Sequence, residues 1–125
     1  MRWWQAAVIG MASLVSSASA AEPVRILFDT DMGNDVDDAL ALGVLHALES
    51  RGQVKLLAVT LTKDHPLAAP YCDVINTFYG RPEIPLGVVK NGKTPEPSKF
   101  LPLAEQIIGD QFRFSHRLVD GREAP

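Results

Sequence analysis

The stretch "ILFDTDMGNDVDDALAL", Ile26 to Leu42, carries five aspartates within ten residues: Asp29, Asp31, Asp35, Asp37 and Asp38. Only Arg25 stands close by to offset them. Carboxylates within about 5 Å of one another raise each other's pKa and oppose folding unless a cation joins them. A helix start stabilises one or two such charges through its free N–H groups and dipole, but five are too many for that. A hard divalent ion held by carboxylate oxygens resolves the repulsion. With no histidine or cysteine in the stretch, calcium or magnesium is favoured over zinc. An EF-hand loop does not fit, because the glycine is misplaced and Leu42 stands where a bidentate Glu is required.

The surrounding pattern predicts the elements that hold these residues. Val24 to Phe28, Val54 to Leu61 and Ile84 to Val89 read as strands, the third weakened by Pro85 and Gly87. Leu40, Val44, Ala47 and Leu48 recur at the spacing of one helix face, with Asp35 as N-cap and Gly52 as the stop. A second helix is predicted over Leu67 to Tyr79, with Pro66 near its first turn and Gly80 beyond its end. Alternating strands and helices with nearly continuous apolar strands imply right-handed βαβ units and a parallel sheet buried on both faces. Ligands of such sheets bind beyond the carboxyl ends of the strands. The first strand ends at the aspartates. Asp29 and Asp31, one residue apart in extended backbone, point the same way. Gly33 and Asn34 turn the chain, and Asp35, Asp37 and Asp38 fall at the helix start.

"DTDMGNDVDDALAL" after an apolar strand resembles the N-terminal signature of the inosine-uridine-preferring nucleoside hydrolases, usually written DTDPGxDDAxA, and "KLLAVTLT" is similar to that family's second strand. The resemblance covers Arg25 to about Pro97. It implies an α/β fold with an open, mainly parallel sheet and flanking helices, a tightly bound calcium at the strand ends, and hydrolysis of the N-glycosidic bond of a ribonucleoside. Carried onto this chain, it implies that Asp31 ligates calcium and takes a proton from the attacking water. Asp38 is implied as a second calcium ligand and Asp37 as a ribose ligand. Asp29 supports the site. "MGNDVDD" is two residues longer than "PGxDD", so by spacing Asp35 fills the position of Asp37 equally well, and Asn34 lies within the same turn. After the second strand the family has an asparagine that binds ribose, where this chain offers Asp64. The family's chains are more than twice as long, and their remaining calcium aspartate and leaving-group histidine lie in the C-terminal half. These 125 residues are therefore expected to be either the N-terminal part, with little or no activity alone, or a shorter, repurposed protein that shares the signature. A homo-oligomer is compatible with the resemblance.

Two other readings are carried. "LFDTD" mimics the start of a magnesium-dependent haloacid-dehalogenase-type phosphohydrolase, but Met32-Gly33-Asn34 and the Asp37-Asp38 pair depart from that pattern. A non-catalytic secreted calcium-binding module is the third. The first twenty residues predict an export signal: Arg2, an apolar run from Trp3 to Val15, and a small-residue cleavage site ending at Ala20. The apolar run is shorter than the ~20 residues a spanning helix needs. Removing it takes the formal charge from −3 to −4 with the loss of Arg2, which gives no footprint for nucleic acid or an anionic membrane. A secreted or periplasmic location is expected. Composition, 46% hydrophobic and 22% charged, is that of a folded globular chain rather than a disordered one. Cys72 is the lone cysteine and reads as a core residue. His46, His65 and His116 read as solvated, the last in a tail without clear period, and Lys90, Lys93 and Lys99 as a solvated loop. Leu103 to Ile108 offers a short helix.

Overall fold

A computed structural model describes residues 21–125. The expected export signal, residues 1–20, lies outside the described residues. Strand β1 (Val24–Thr30), helix α1 (Asp37–Ser50), strand β2 (Val54–Leu61), helix α2 (Ala68–Phe78) and strand β3 (Leu86–Val88) follow in turn. The three strands form a parallel sheet in the order β1-β2-β3. This is a small α/β arrangement, as the alternation of elements requires.

Its core is built on β2 and α2. Leu56, Val59 and Leu61 of β2 pack with Leu42 of α1, with Ala68, Ala69 and Cys72 of α2, with Met32 from the turn after β1 and with Leu101 from a later 3₁₀ turn. Each large apolar side chain fully buried there contributes about 1.5–3 kcal/mol. The sheet is not buried on both faces as the apolar runs suggest. β1 is an edge strand with Val24 and Leu27 mostly exposed, and Lys55 and Thr60 of β2 face solvent. Two successive steps in the same direction leave β1 at the edge with one neighbour, so only part of its apolar surface finds a partner.

The expected inner face of α1 is also corrected. Leu40 and Val44 are exposed at 62% and 57%, whereas Leu42 and His46 are buried. Two residues turn a helix by about 200°, so the helix presents almost the opposite side to the core. Leu40, Val44 and Ala47 instead line an open apolar groove of about 800 Å³ with Val74, Phe78 and Tyr79. The N-cap is Val36, without a side-chain hydrogen bond, rather than Asp35.

The helix expected at Leu103 to Ile108 is a 3₁₀ turn at Leu101–Glu105. A short antiparallel hairpin follows, β4 (Ile107–Ile108) and β5 (Gln111–Phe112). Its connection is Gly109-Asp110, with Gly109 at φ +62°, the positive-φ geometry that two-residue hairpin loops require. Buried Asp73 of α2 then fastens the segment beyond the hairpin, accepting the backbone N–H groups of Arg117 at 2.8 Å and Leu118 at 2.7 Å.

Candidate functional site

The site starts where β1 ends. Thr30 is buried, and its hydroxyl donates to Asp38 Oδ1 at 2.7 Å while accepting the Met32 N–H at 3.0 Å. Met32 is sunk in the core, so the alternation of an extended backbone leaves Asp29 and Asp31 on the exposed side. The chain then turns through Gly33, whose φ of +113° and contact with Leu101 leave no room for a Cβ. The Ser98 hydroxyl donates to the Gly33 carbonyl and ties the turn to the following loop. This turn delivers the chain to α1.

Asp35, Asp37 and Asp38 each present a carboxylate oxygen within 4.8 Å of the others. The neighbouring Asp37 carboxylate raises the pKa of Asp35, while that of Asp37 is lowered by the same pairing and by backbone N–H groups. Half-buried Asp38 is pushed up by burial, against the pull of the Thr30 hydroxyl, with the charges of Asp31 and Asp37 adding to the rise. The ion pairs among the described residues, Lys55 and Arg81 with Glu49 and Arg122 with Asp120, involve none of these carboxylates. The group is an all-oxygen donor set, uncompensated in charge and partly desolvated. Asp35 and Asp37 are exposed and Asp38 is half-buried, and an all-oxygen set of this kind is able to hold a hard divalent cation.

Asp31 is not one of these three but stands beside Asp38, and it is also tied sideways. Asn34 Nδ2 donates to Asp31 Oδ2 at 3.0 Å, and Lys63 Nζ donates to Asn34 Oδ1 at 2.8 Å. Asp31, Asn34 and Lys63 line a polar cleft of about 280 Å³ with Thr62, Thr94 and Glu96. Asp29 accepts the hydroxyl of Thr60, its register partner on β2, at 2.6 Å. Asp64 lies in a separate pocket of about 230 Å³ with His65 and Lys90. Its carboxylate accepts the Gly92 N–H, and its own N–H donates to Thr94 Oγ1 at 2.9 Å. The structure thus groups Asp35, Asp37 and Asp38, sets Asp31 and Asn34 on the adjoining cleft, and keeps Asp29 and Asp64 in other bonds.

Three participants escape a reading of residue types alone. Thr30 orients Asp38, Lys63 holds Asn34, and Thr94 links the loops after β2 and β3 by donating to the Thr62 carbonyl at 2.7 Å. Lys63 carried a signal: it follows Leu61 by two residues, so strand alternation directs it inward. His46 is fully buried rather than solvated. Its ring stacks on Tyr79 at 4.7 Å and its Nε2 pairs with Asn76 Oδ1 at 2.8 Å. His65 is half-buried, its Nδ1 accepting the Leu67 N–H at 3.1 Å. His116 is likewise half-buried, against Phe112.

No family model, curated protein or solved structure matches the chain. Among the described residues no helix is long and apolar enough to cross a membrane.

Proposed function

We propose that this chain carries the calcium- and ribose-binding part of a nucleoside hydrolase site, in an open Rossmann-like α/β domain exported by its N-terminal segment. The observation that carries the reading is the convergence of Asp35, Asp37 and Asp38 within 4.8 Å at the carboxyl end of β1, without a paired cation among the described residues. The resemblance of "DTDMGNDVDD" supplies the reaction class. Asp38, held by Thr30, and Asp31 are the calcium ligands. Asp37, or Asp35 in the same position, takes the ribose hydroxyls, and Asp64 stands at the rim.

Asp31 and Asp38 would hold the calcium, which when bound would supply counter-charge and polarise water at the strand ends. The chain's own residues do the rest. A carboxylate at Asp31 with Oδ2 already occupied by Asn34 has its other oxygen available to accept a proton from water. Fixed negative charge stabilises an oxocarbenium-like ribosyl transition state more than a neutral nucleoside. Carboxylates on the ribose hydroxyls hold C1′ in place for attack.

Incubation with inosine or uridine and calcium tests the reading. The expected result is calcium-dependent ribose release, abolished by Asp31→Ala. Phosphate release from a phosphomonoester in magnesium, with Asp29 as nucleophile, would replace it with the phosphohydrolase reading. Exposure of Asp35 and Asp37 favours one further alternative, a calcium-binding module without turnover, which would show calcium binding and neither product.

A further inference from the structure

We propose that Lys63 is a positioning residue which, through the Asn34 amide, fixes the carboxylate of Asp31 for ion binding. The inference rests on the calcium reading above.

Lys63 is only 3% exposed, yet its ammonium forms no ion pair among the described residues and donates to a neutral amide oxygen. Burying an ammonium without a direct ion pair is costly unless its position does something. Asn34, by contrast, is exposed on a turn, where an amide ordinarily rotates freely. An amide has one accepting and one donating end. An ammonium accepts nothing, so Lys63 admits only the Oδ1 end, and the Nδ2 end must then face Asp31. The amide N–H, polarised by the cation, occupies Asp31 Oδ2 and so fixes the plane of the carboxylate. Lys63 comes from the end of β2 and Asn34 from the turn after β1, so the relay also joins the two strand ends bordering the cleft. Outer residues of this kind orient ligands without touching the ion.

Charge alone predicts the opposite sign. Deleting a nearby cation should tighten binding of another cation, whereas loss of positioning should weaken it. Terbium luminescence, with terbium as the calcium probe, reads affinity on the full chain without requiring turnover. Lys63→Met preserves packing volume, and Asn34→Ala alters an exposed side chain.

Each variant is expected to bind terbium about 10–100-fold more weakly. The double variant should be no weaker than either single one, because Lys63 acts only through Asn34. Lys63→Arg, which keeps a donor for the amide, should retain most of the affinity. Unchanged or tighter binding in Lys63→Met, or additive losses in the double variant, would overturn the proposal. So would a metal-free melting temperature that falls while affinity holds, since that marks a mere structural strut. Should the unaltered chain bind no terbium, both this inference and the calcium reading fail. Terbium binding with no nucleoside cleavage removes only the reaction, and the affinities of the variants still decide the relay.

Discussion

Thr30 and Asp38 are joined at 2.7 Å across the turn between β1 and α1, with the hydroxyl as donor. Thr30 also accepts the Met32 N–H at 3.0 Å, so one buried hydroxyl fixes both the turn and the acidic start of the helix. Charge repulsion from Asp31 and Asp37 works against this arrangement. The bond therefore holds a strained group in place.

Thr30→Val keeps the shape and removes both bonds. The expected cost is about 1–3 kcal/mol, the range for leaving a buried polar group unpaired. Thr30→Ser should recover most of it. Urea unfolding without calcium measures this, and a Thr30→Val midpoint equal to that of the unaltered chain would show that the hydroxyl holds nothing.

Acid should weaken the fold through His46. Burial lowers its pKa below the ordinary 6.5, against the bond from Asn76; the nearby Arg81 lowers it further and Glu49 raises it. A depressed histidine contributes stability that is present above pH 6.5 and is lost as pH falls toward its folded value. Asp38 acts in the opposite sense, because its folded pKa lies above the ordinary 3.8. Its contribution is present below 3.8 and is lost as pH rises through the folded value. Stability measured without calcium should thus fall as pH drops below 6.5. In His46→Gln, which keeps a side chain able to meet Asn76, the fall should shrink. Part of any remaining fall belongs to His65, also lowered by burial. Identical slopes in both proteins would remove His46 from the account.

Asp73 is the anchor of the C-terminal segment. Asp73→Ala frees the N–H groups of Arg117 and Leu118 and should cost ~1–3 kcal/mol. Limited trypsin digestion should then cut faster at Arg113 or Arg117, with the sheet still folded. Equal cutting rates would mean that packing alone holds the segment.

Much of the frame was legible because it is local. The span of β2 is the apolar run Val54 to Leu61, and α2 ends within a residue of the predicted limits, where Gly80 follows. The acidic triad at the helix start was legible for the same reason, since Asp35, Asp37 and Asp38 fall within four consecutive residues. The orientation of α1 was not. Apolar residues lie on both of its sides, and periodicity cannot choose between Leu40 and Leu42 when the deciding partners lie on β2 and α2. His46 was misread because its partner Asn76 stands thirty residues away. The hairpin at Ile107 to Phe112 has two residues per strand, too short for alternation to register. Within the site, Lys63 and Asn34 are twenty-nine residues apart and meet only because β1 and β2 are parallel neighbours.

Calcium titration followed by thermal melting tests the central claim most directly. A hundredfold excess over Kd should stabilise the chain by about 2.7 kcal/mol, a rise of roughly 10 °C or more for a domain of this size. Asp38→Asn should abolish most of that rise while leaving the metal-free protein folded. A melting temperature indifferent to calcium, or one that rises equally in Asp38→Asn, would contradict the account.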